Sequence, residues 1–209
     1  MSASPVAIAA PRVRRPARPR TIAIVASLAV VVALIGVYVG SNAWASLQQN
    51  SMRKRFDVAA ARWSRLDPLA RSSVTYNDGD PIARIAIPSI GLDAIVAEGA
   101  TASTMRRAPG HLPASATPGE DGVAIITANR FGFGSFFLRL DRLSVGDHIV
   151  TESAIGRTTF TVTQIDVVPA DQLDLSTDST DRVLMLFAGD RLWGGSDRLV
   201  IRALADQES

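Results

Sequence analysis

Residues 21–40 read TIAIVASLAVVVALIGVYVG, twenty consecutive residues without a charge. At a rise of about 1.5 Å per residue, a helix of this length crosses a hydrocarbon layer of about 30 Å. It has no polar face, so a core helix of a soluble domain is the wrong reading. Arg12, Arg14, Arg15, Arg18 and Arg20 precede it with no acid among them. A basic flank of this kind stays on the cytoplasmic side and sends the chain after residue 44 outside. Tyr38 and Trp44 suit the outer interface. Ala43-Trp44-Ala45 resembles a signal-peptide cleavage site, but the apolar run exceeds the usual h-region of about 7–15 residues. The reading is an uncleaved, single-pass anchor with an extracytoplasmic body.

Four segments follow: a basic tail (1–20), the anchor (21–43), a juxtamembrane helix and linker (44–78), and a body (79–207). In residues 46–67, Phe56, Ala59, Ala60 and Trp63 recur at helical spacing, and Pro68 ends the run. This segment reads as a spacer helix. Residues 69–79 are polar and turn-rich, which places the domain boundary there.

The body alternates short apolar stretches with turn signals: 82–88, 92–99, 122–129, 146–153, 158–169, 182–189 and 197–204. That texture predicts a mainly β barrel or sandwich. FFLRLDRL (136–143) reads as a short helix or turn. Of Phe131, Phe133, Phe136 and Phe137, most should be core, with Phe131 and Phe133 free to form an exposed tip around Gly132.

Composition then removes whole classes of chemistry. The chain holds no cysteine, which excludes disulfides, thiolate metal sites and a cysteine nucleophile together. His111 and His148 are its only histidines, and no metal-binding spacing surrounds them. Asp171, Asp174, Asp178 and Asp181 match no calcium-loop pattern and read as a solvated loop. No cofactor and no metal are expected. After residue 20 there are 20 acids against 17 bases, with no basic patch carrying aromatics, so nucleic acid is not a partner.

Several segments, taken in order, resemble a sortase, the cell-wall transpeptidase of Gram-positive bacteria. IARIAIPSIGLDAIVAEG resembles the family's opening strands, and APGHLPASATPGEDG its gly-pro-gly-his loop. IITANRFGFGSFFLRLDRLSVGDHIV is similar to the stretch around the catalytic histidine. VLMLFAGDRLWGGSDRLVIRA is similar to the strand bearing the catalytic cysteine, its loop, and the arginine strand. The resemblance covers roughly residues 79–204 and is nearest to actinobacterial class E. It implies a closed eight-stranded β-barrel with short helices behind an N-terminal transmembrane helix. It also implies a thiolate that forms a thioacyl enzyme, a histidine acid and an oxyanion-steadying arginine.

Under the resemblance, Asn129 stands at the histidine position, Gly189 at the cysteine position, and Arg198 at the arginine position. Asn cannot exchange a proton near neutral pH, and Gly carries no atom to acylate. Losing one member of such a unit costs about as much as losing all. The expectation is therefore an inactive, cell-surface member of the family with no functional catalytic residue. Arg198, Asn129, Arg130 and Phe187 are its candidate binding residues. The partners are the membrane and, at the cleft, a sorting-signal peptide, a surface protein or an active sortase. The competing reading is a transpeptidase or peptidase with a non-cysteine nucleophile. Ser196 and Thr127 are the hydroxyls near the site, and a hydroxyl within about 3.2 Å of His111 would favour that reading. A third reading is a relic that keeps only the fold, favoured if Phe187 or Trp193 fills the groove.

Overall fold

The computed structural model describes residues 19–189 and 196–206. The basic tail up to residue 18, Asp190 and Trp193 lie outside them. The chain divides into two compact units, Met1–Val37 and Tyr38–Ser209.

Helix α1 runs over Pro19–Trp63. In the first unit its apolar side chains are exposed throughout: Ile22, Leu28, Val31, Leu34 and Val37 each show half or more of their surface. A helix this long and this apolar is able to cross a membrane.

In the second unit the same helix is not a spacer. Met52, Phe56 and Trp63 are buried against Ile95, Ala97, Ala108 and Ala154 of the barrel, with Ala59 and Ala60 beside them. These positions form one stripe of the helix, and burying each large side chain contributes about 1.5–3 kcal/mol. The rings of Phe56 and Trp63 meet edge to face at 5.6 Å, and Trp63 meets Tyr76 at 6.2 Å. The sequence correctly exposes this apolar face but gives no sign of what covers it. The compact unit accordingly begins at Tyr38, ahead of the turn-rich 69–79 segment. The helix stops at Trp63, short of Pro68. Pro68 instead opens helix α2 (Pro68–Ser72), where Asp67 accepts from the Ala70 N–H at 2.9 Å.

Eight strands follow: β1 (Pro81–Ile87), β2 (Leu92–Glu98), β3 (Gly110–His111), β4 (Gly122–Thr127), β5 (His148–Ser153), β6 (Arg157–Pro169), β7 (Arg182–Gly189) and β8 (Asp197–Ala205). Helix α3 (Ala102–Met105) lies between β2 and β3. The strands close into one barrel in the order β1-β2-β3-β4-β7-β8-β6-β5. The FFLRLDRL segment holds a single 3-10 turn, Leu140–Arg142. Seven of the strands stand in the sequence as alternating or apolar runs. The two-residue β3 is too short to carry a period, and it exists because of a close approach. A Cβ on Gly110 would lie 2.5 Å from the Gly99 carbonyl oxygen, so only glycine fits.

The barrel interior holds Ile85, Ile87, Ala94, Val96, Ala124, Ile126, Phe137, Phe160, Leu184 and Leu186, all buried. β4 is buried on both faces, which explains its unbroken apolar run. Its inward residues Ala124, Ile126 and Ala128 join the interior. Its outward residues Val123 and Ile125 join Met185 and Val200 in a second cluster.

Candidate functional site

β4 and β7 run parallel, from Gly122 opposite Arg182 to Thr127 opposite Phe187. The pairing ends at Thr127 opposite Phe187, so Asn129 and Gly189 each lie two residues beyond the same end of the strand pair. β8 runs antiparallel to β7 and places Arg198 opposite Gly189. Three positions far apart in sequence thus meet at one end of the barrel, where strand-end residues and loops usually carry chemistry.

Asn129 is half-buried, and its Nδ2 donates to the Met105 carbonyl at 3.0 Å. Its own carbonyl accepts from the Phe137 N–H at 3.2 Å. The side chain therefore ties the end of β4 to the end of α3. Arg130 is buried and pairs with Asp141 at 3.0 Å, with its guanidinium 5.7 Å from the Phe131 ring. It is engaged within the fold by both contacts. Phe187 packs half-buried on the outward cluster, together with Leu112, Val168 and Leu173. The floor of that cluster is closed, with Ile125 and Met185 at 0% exposure. The outer face of β4 and β7 is thus filled up to Phe187.

Arg198 differs from these. One of its terminal nitrogens donates to the Ser196 carbonyl at 3.3 Å and to the Asp197 carbonyl at 3.1 Å. It makes no carboxylate contact among the described residues, although Asp197 is adjacent. The Asp197 carboxylate instead accepts from Ser196 Oγ at 3.4 Å. No ring nitrogen meets Ser196 among the described residues, and Thr127 is buried. His148 sits exposed at the start of β5, its Nδ1 3.2 Å from Thr161 Oγ1. Among the described residues no three acid or histidine groups converge on a metal site.

The strongest polar cluster is one the sequence does not reveal. His111 is 3% exposed, with Nδ1 2.9 Å from Glu98 Oε2. Its Nε2 lies 2.9 Å from the Ala116 carbonyl and 3.0 Å from Ser115 Oγ. Carboxylate, imidazole and hydroxyl stand in line, within the distance that would suit a serine nucleophile. The hydrogen directions decide otherwise. The Ala116 carbonyl only accepts, so Nε2 carries a hydrogen wherever the proton between Nδ1 and Glu98 resides. The Ser115 hydroxyl donates to the Leu112 carbonyl at 2.7 Å and accepts from the Ile125 N–H at 3.1 Å. A general base needs a lone pair facing the hydroxyl proton. Here Nε2 points a hydrogen at the oxygen, and the hydroxyl proton points away. The cluster ties β2, β3, β4 and the 112–116 loop together. Nearby, Tyr76 is pushed well above the ordinary phenol range, by burial first and then by the charges of Glu120 and Glu98.

The closed barrel with polar strand ends has clear counterparts. The sortase-domain family model matches residues 85–206. The chain belongs to the sortase family. Solved structures share the fold. A Clostridium perfringens sortase D5 transpeptidase is 22% identical, with TM-score 0.63, over 78% of this chain and 98% of that one. A lid mutant of sortase A from Corynebacterium diphtheriae is 24% identical, with TM-score 0.59, over 64% of this chain and 74% of that one. A Clostridium perfringens sortase C, solved with the C-terminal cell wall sorting motif, is 20% identical, with TM-score 0.59, over 76% and 89%. No curated protein matches the chain.

Proposed function

We propose that this chain is a membrane-anchored, extracytoplasmic sortase homologue that lacks thiol transpeptidase activity and acts by binding. One observation carries the proposal: 209 residues contain no cysteine. A thioacyl intermediate has no atom to form on. In this reading Asn129 and Gly189 occupy the histidine and cysteine positions, and Arg198 occupies the arginine position. The register is consistent with that reading, since Gly189 pairs with Arg198 and Asn129 follows the end of β4 that pairs with Phe187. The arginine-rich segment before residue 21 supports a cytoplasmic N-terminus. The class E and actinobacterial assignments, and the segment boundaries at 20, 43 and 78, belong to the same reading.

The filled face beneath Phe187 leaves little room for a long peptide along β4 and β7, which there favours the fold-only relic over a peptide groove. Binding is therefore centred on Arg198, whose guanidinium meets only backbone carbonyls among the described residues. A peptide carbonyl or carboxylate at the strand ends suits it, whether from a sorting signal or from a surface protein. The competing enzyme reading requires a hydroxyl nucleophile. Among the described residues Ser115 is the one within reach of His111, and its proton faces the Leu112 carbonyl.

The test is incubation of the full-length chain, in detergent or vesicles, with sorting-signal peptides. Binding is read by fluorescence anisotropy and cleavage by mass spectrometry. Saturable binding that is lost in Arg198→Ala, without cleavage, is expected. Cleavage lost in Ser115→Ala would establish the hydroxyl enzyme in its place.

A further inference from the structure

The loop after β4 is built to hold an apolar side chain outward. Gly132, Phe133, Gly134 and Ser135 all adopt left-handed backbone, with φ of 68°, 45°, 89° and 44°. For Phe and Ser this conformation costs energy, and such strain persists only where the surroundings enforce it. The surroundings here are specific. The Phe133 N–H donates to Ser41 Oγ at 3.4 Å, and Ser135 Oγ donates to Asn42 Oδ1 at 3.2 Å. A Cβ on Gly134 would lie 2.5 Å from the Phe136 ring. The result is a Phe133 side chain 38% exposed, with Leu138 at 37% on the same loop.

The position of this tip on α1 gives it meaning. The apolar run ends at Gly40, and Ser41 is the next residue. One helical residue rises about 1.5 Å, so Phe133 is held within a few ångströms of the level where the apolar run stops. Trp44, 41% exposed, marks the same level from the helix. Cationic groups flank the tip. The Arg106 guanidinium lies 5.6 Å from the Phe133 ring, and Arg139 is exposed beside Leu138. The acid of the loop, Asp141, is already paired with Arg130. Exposed aromatic and aliphatic tips with arginines beside them suit the boundary between anionic headgroups and acyl chains.

We propose that the 130–139 loop is a second membrane contact. Phe133 and Leu138 enter the interface of the bilayer that holds residues 21–40, while Arg106 and Arg139 face lipid phosphates. This rests on reading residues 21–40 as a membrane span.

The absence of cysteine makes the test direct, because any introduced thiol is the sole labelling site. Phe133→Cys, Leu138→Cys, Thr180→Cys and Val31→Cys full-length variants are spin-labelled and reconstituted in phosphatidylglycerol–phosphatidylcholine vesicles. Thr180 is exposed and precedes β7, at the opposite end of the strands from the loop. Collision with a water-soluble nickel complex and with oxygen reports depth. The labels at 133 and 138 should lie about 5–10 Å into the interface, several-fold less open to nickel than the label at 180. The label at 31 should sit in hydrocarbon. If 133 and 138 match 180 while 31 is in hydrocarbon, the loop proposal fails alone. If 31 is also open to nickel, the span reading fails and the loop proposal falls with it. Leu138→Cys reads the same interface should Phe133→Cys not fold.

Discussion

The barrel has two polar stations that look equally suited to chemistry, around His111 and around Arg198, and they differ in what is left over. At His111 every polar atom is engaged: Glu98 on one nitrogen, Ala116 and Ser115 on the other, Leu112 and Ile125 on the hydroxyl. At Arg198, among the described residues, the guanidinium meets only the carbonyls of the two preceding residues and no carboxylate. A station whose hydrogen bonds are all internal is architecture, however much its residue types imitate a triad. Ligand binding at Arg198 is the proposal that this contrast motivates. Burial follows the same division, with His111 closed off at 3% exposure.

The comparison can be broken most severely at His111. His111→Ala leaves the Glu98 carboxylate buried without its partner, a loss of about 3–5 kcal/mol. Thermal unfolding followed by circular dichroism should fall by roughly 10 °C or more for a unit of this size. A change of a degree or two would mean that the cluster is not structural.

Gln49 extends the idea to the helix seam. Its Oε1 accepts from the Ile95 N–H at 2.7 Å, and its Nε2 donates to the carbonyls of Ile95 and Arg107 at 3.0 and 3.1 Å. One buried amide thus satisfies an edge of β2 that β3 is too short to reach. Gln49→Leu orphans these groups and should cost about 1–3 kcal/mol. Hydrogen exchange at the Ile95 amide should accelerate, and an unchanged rate would show the helix to be dispensable.

Asp93 sharpens the contrast through pH. It accepts from Arg84 at 2.9 and 2.7 Å and pairs with Arg53 of α1 at 3.2 Å. The hydrogen bond from Arg84, followed by the Arg53 contacts, holds its carboxyl down at about 2. A depressed carboxyl stabilises the fold fully above its ordinary range near 3.8, and the contribution is lost as pH falls through about 2. Because the pair is partly exposed, the effect is under about 1 kcal/mol. Asp93→Asn should flatten the part of the stability–pH curve between about pH 4 and 2 that this group contributes.

Arg198→Ala carries the smallest stability change, under about 0.5 kcal/mol, as befits a side chain whose partners among the described residues are two local backbone carbonyls. Peptide binding should disappear all the same. A large destabilisation would place Arg198 with His111 as architecture.

The sequence shows the barrel more readily than it shows the site. Seven strands announce themselves because half-buried and fully buried strands need apolar side chains at set periods. The eighth, Gly110–His111, rests on a backbone contact that no periodicity records. Asn129, Gly189 and Arg198 are singled out only through family resemblance, since the pairing that sets Gly189 opposite Arg198 is non-local. Ser115 and Glu98 gave no signal, because nothing in GHLPAS or VAEG announces a shared hydrogen-bond cluster. The apolar stripe of Phe56 and Trp63 is plain, yet its partner, the outer face of β2, becomes visible only in the fold.

The central claim is that a sortase barrel here works without covalent chemistry. The most direct measurement is the intact mass of the full-length chain after incubation with a sorting-signal peptide and quenching in acid. The mass of the unmodified polypeptide alone is the result this account predicts. A species heavier by the acyl portion of the peptide would contradict it, and mapping the adduct would name the nucleophile.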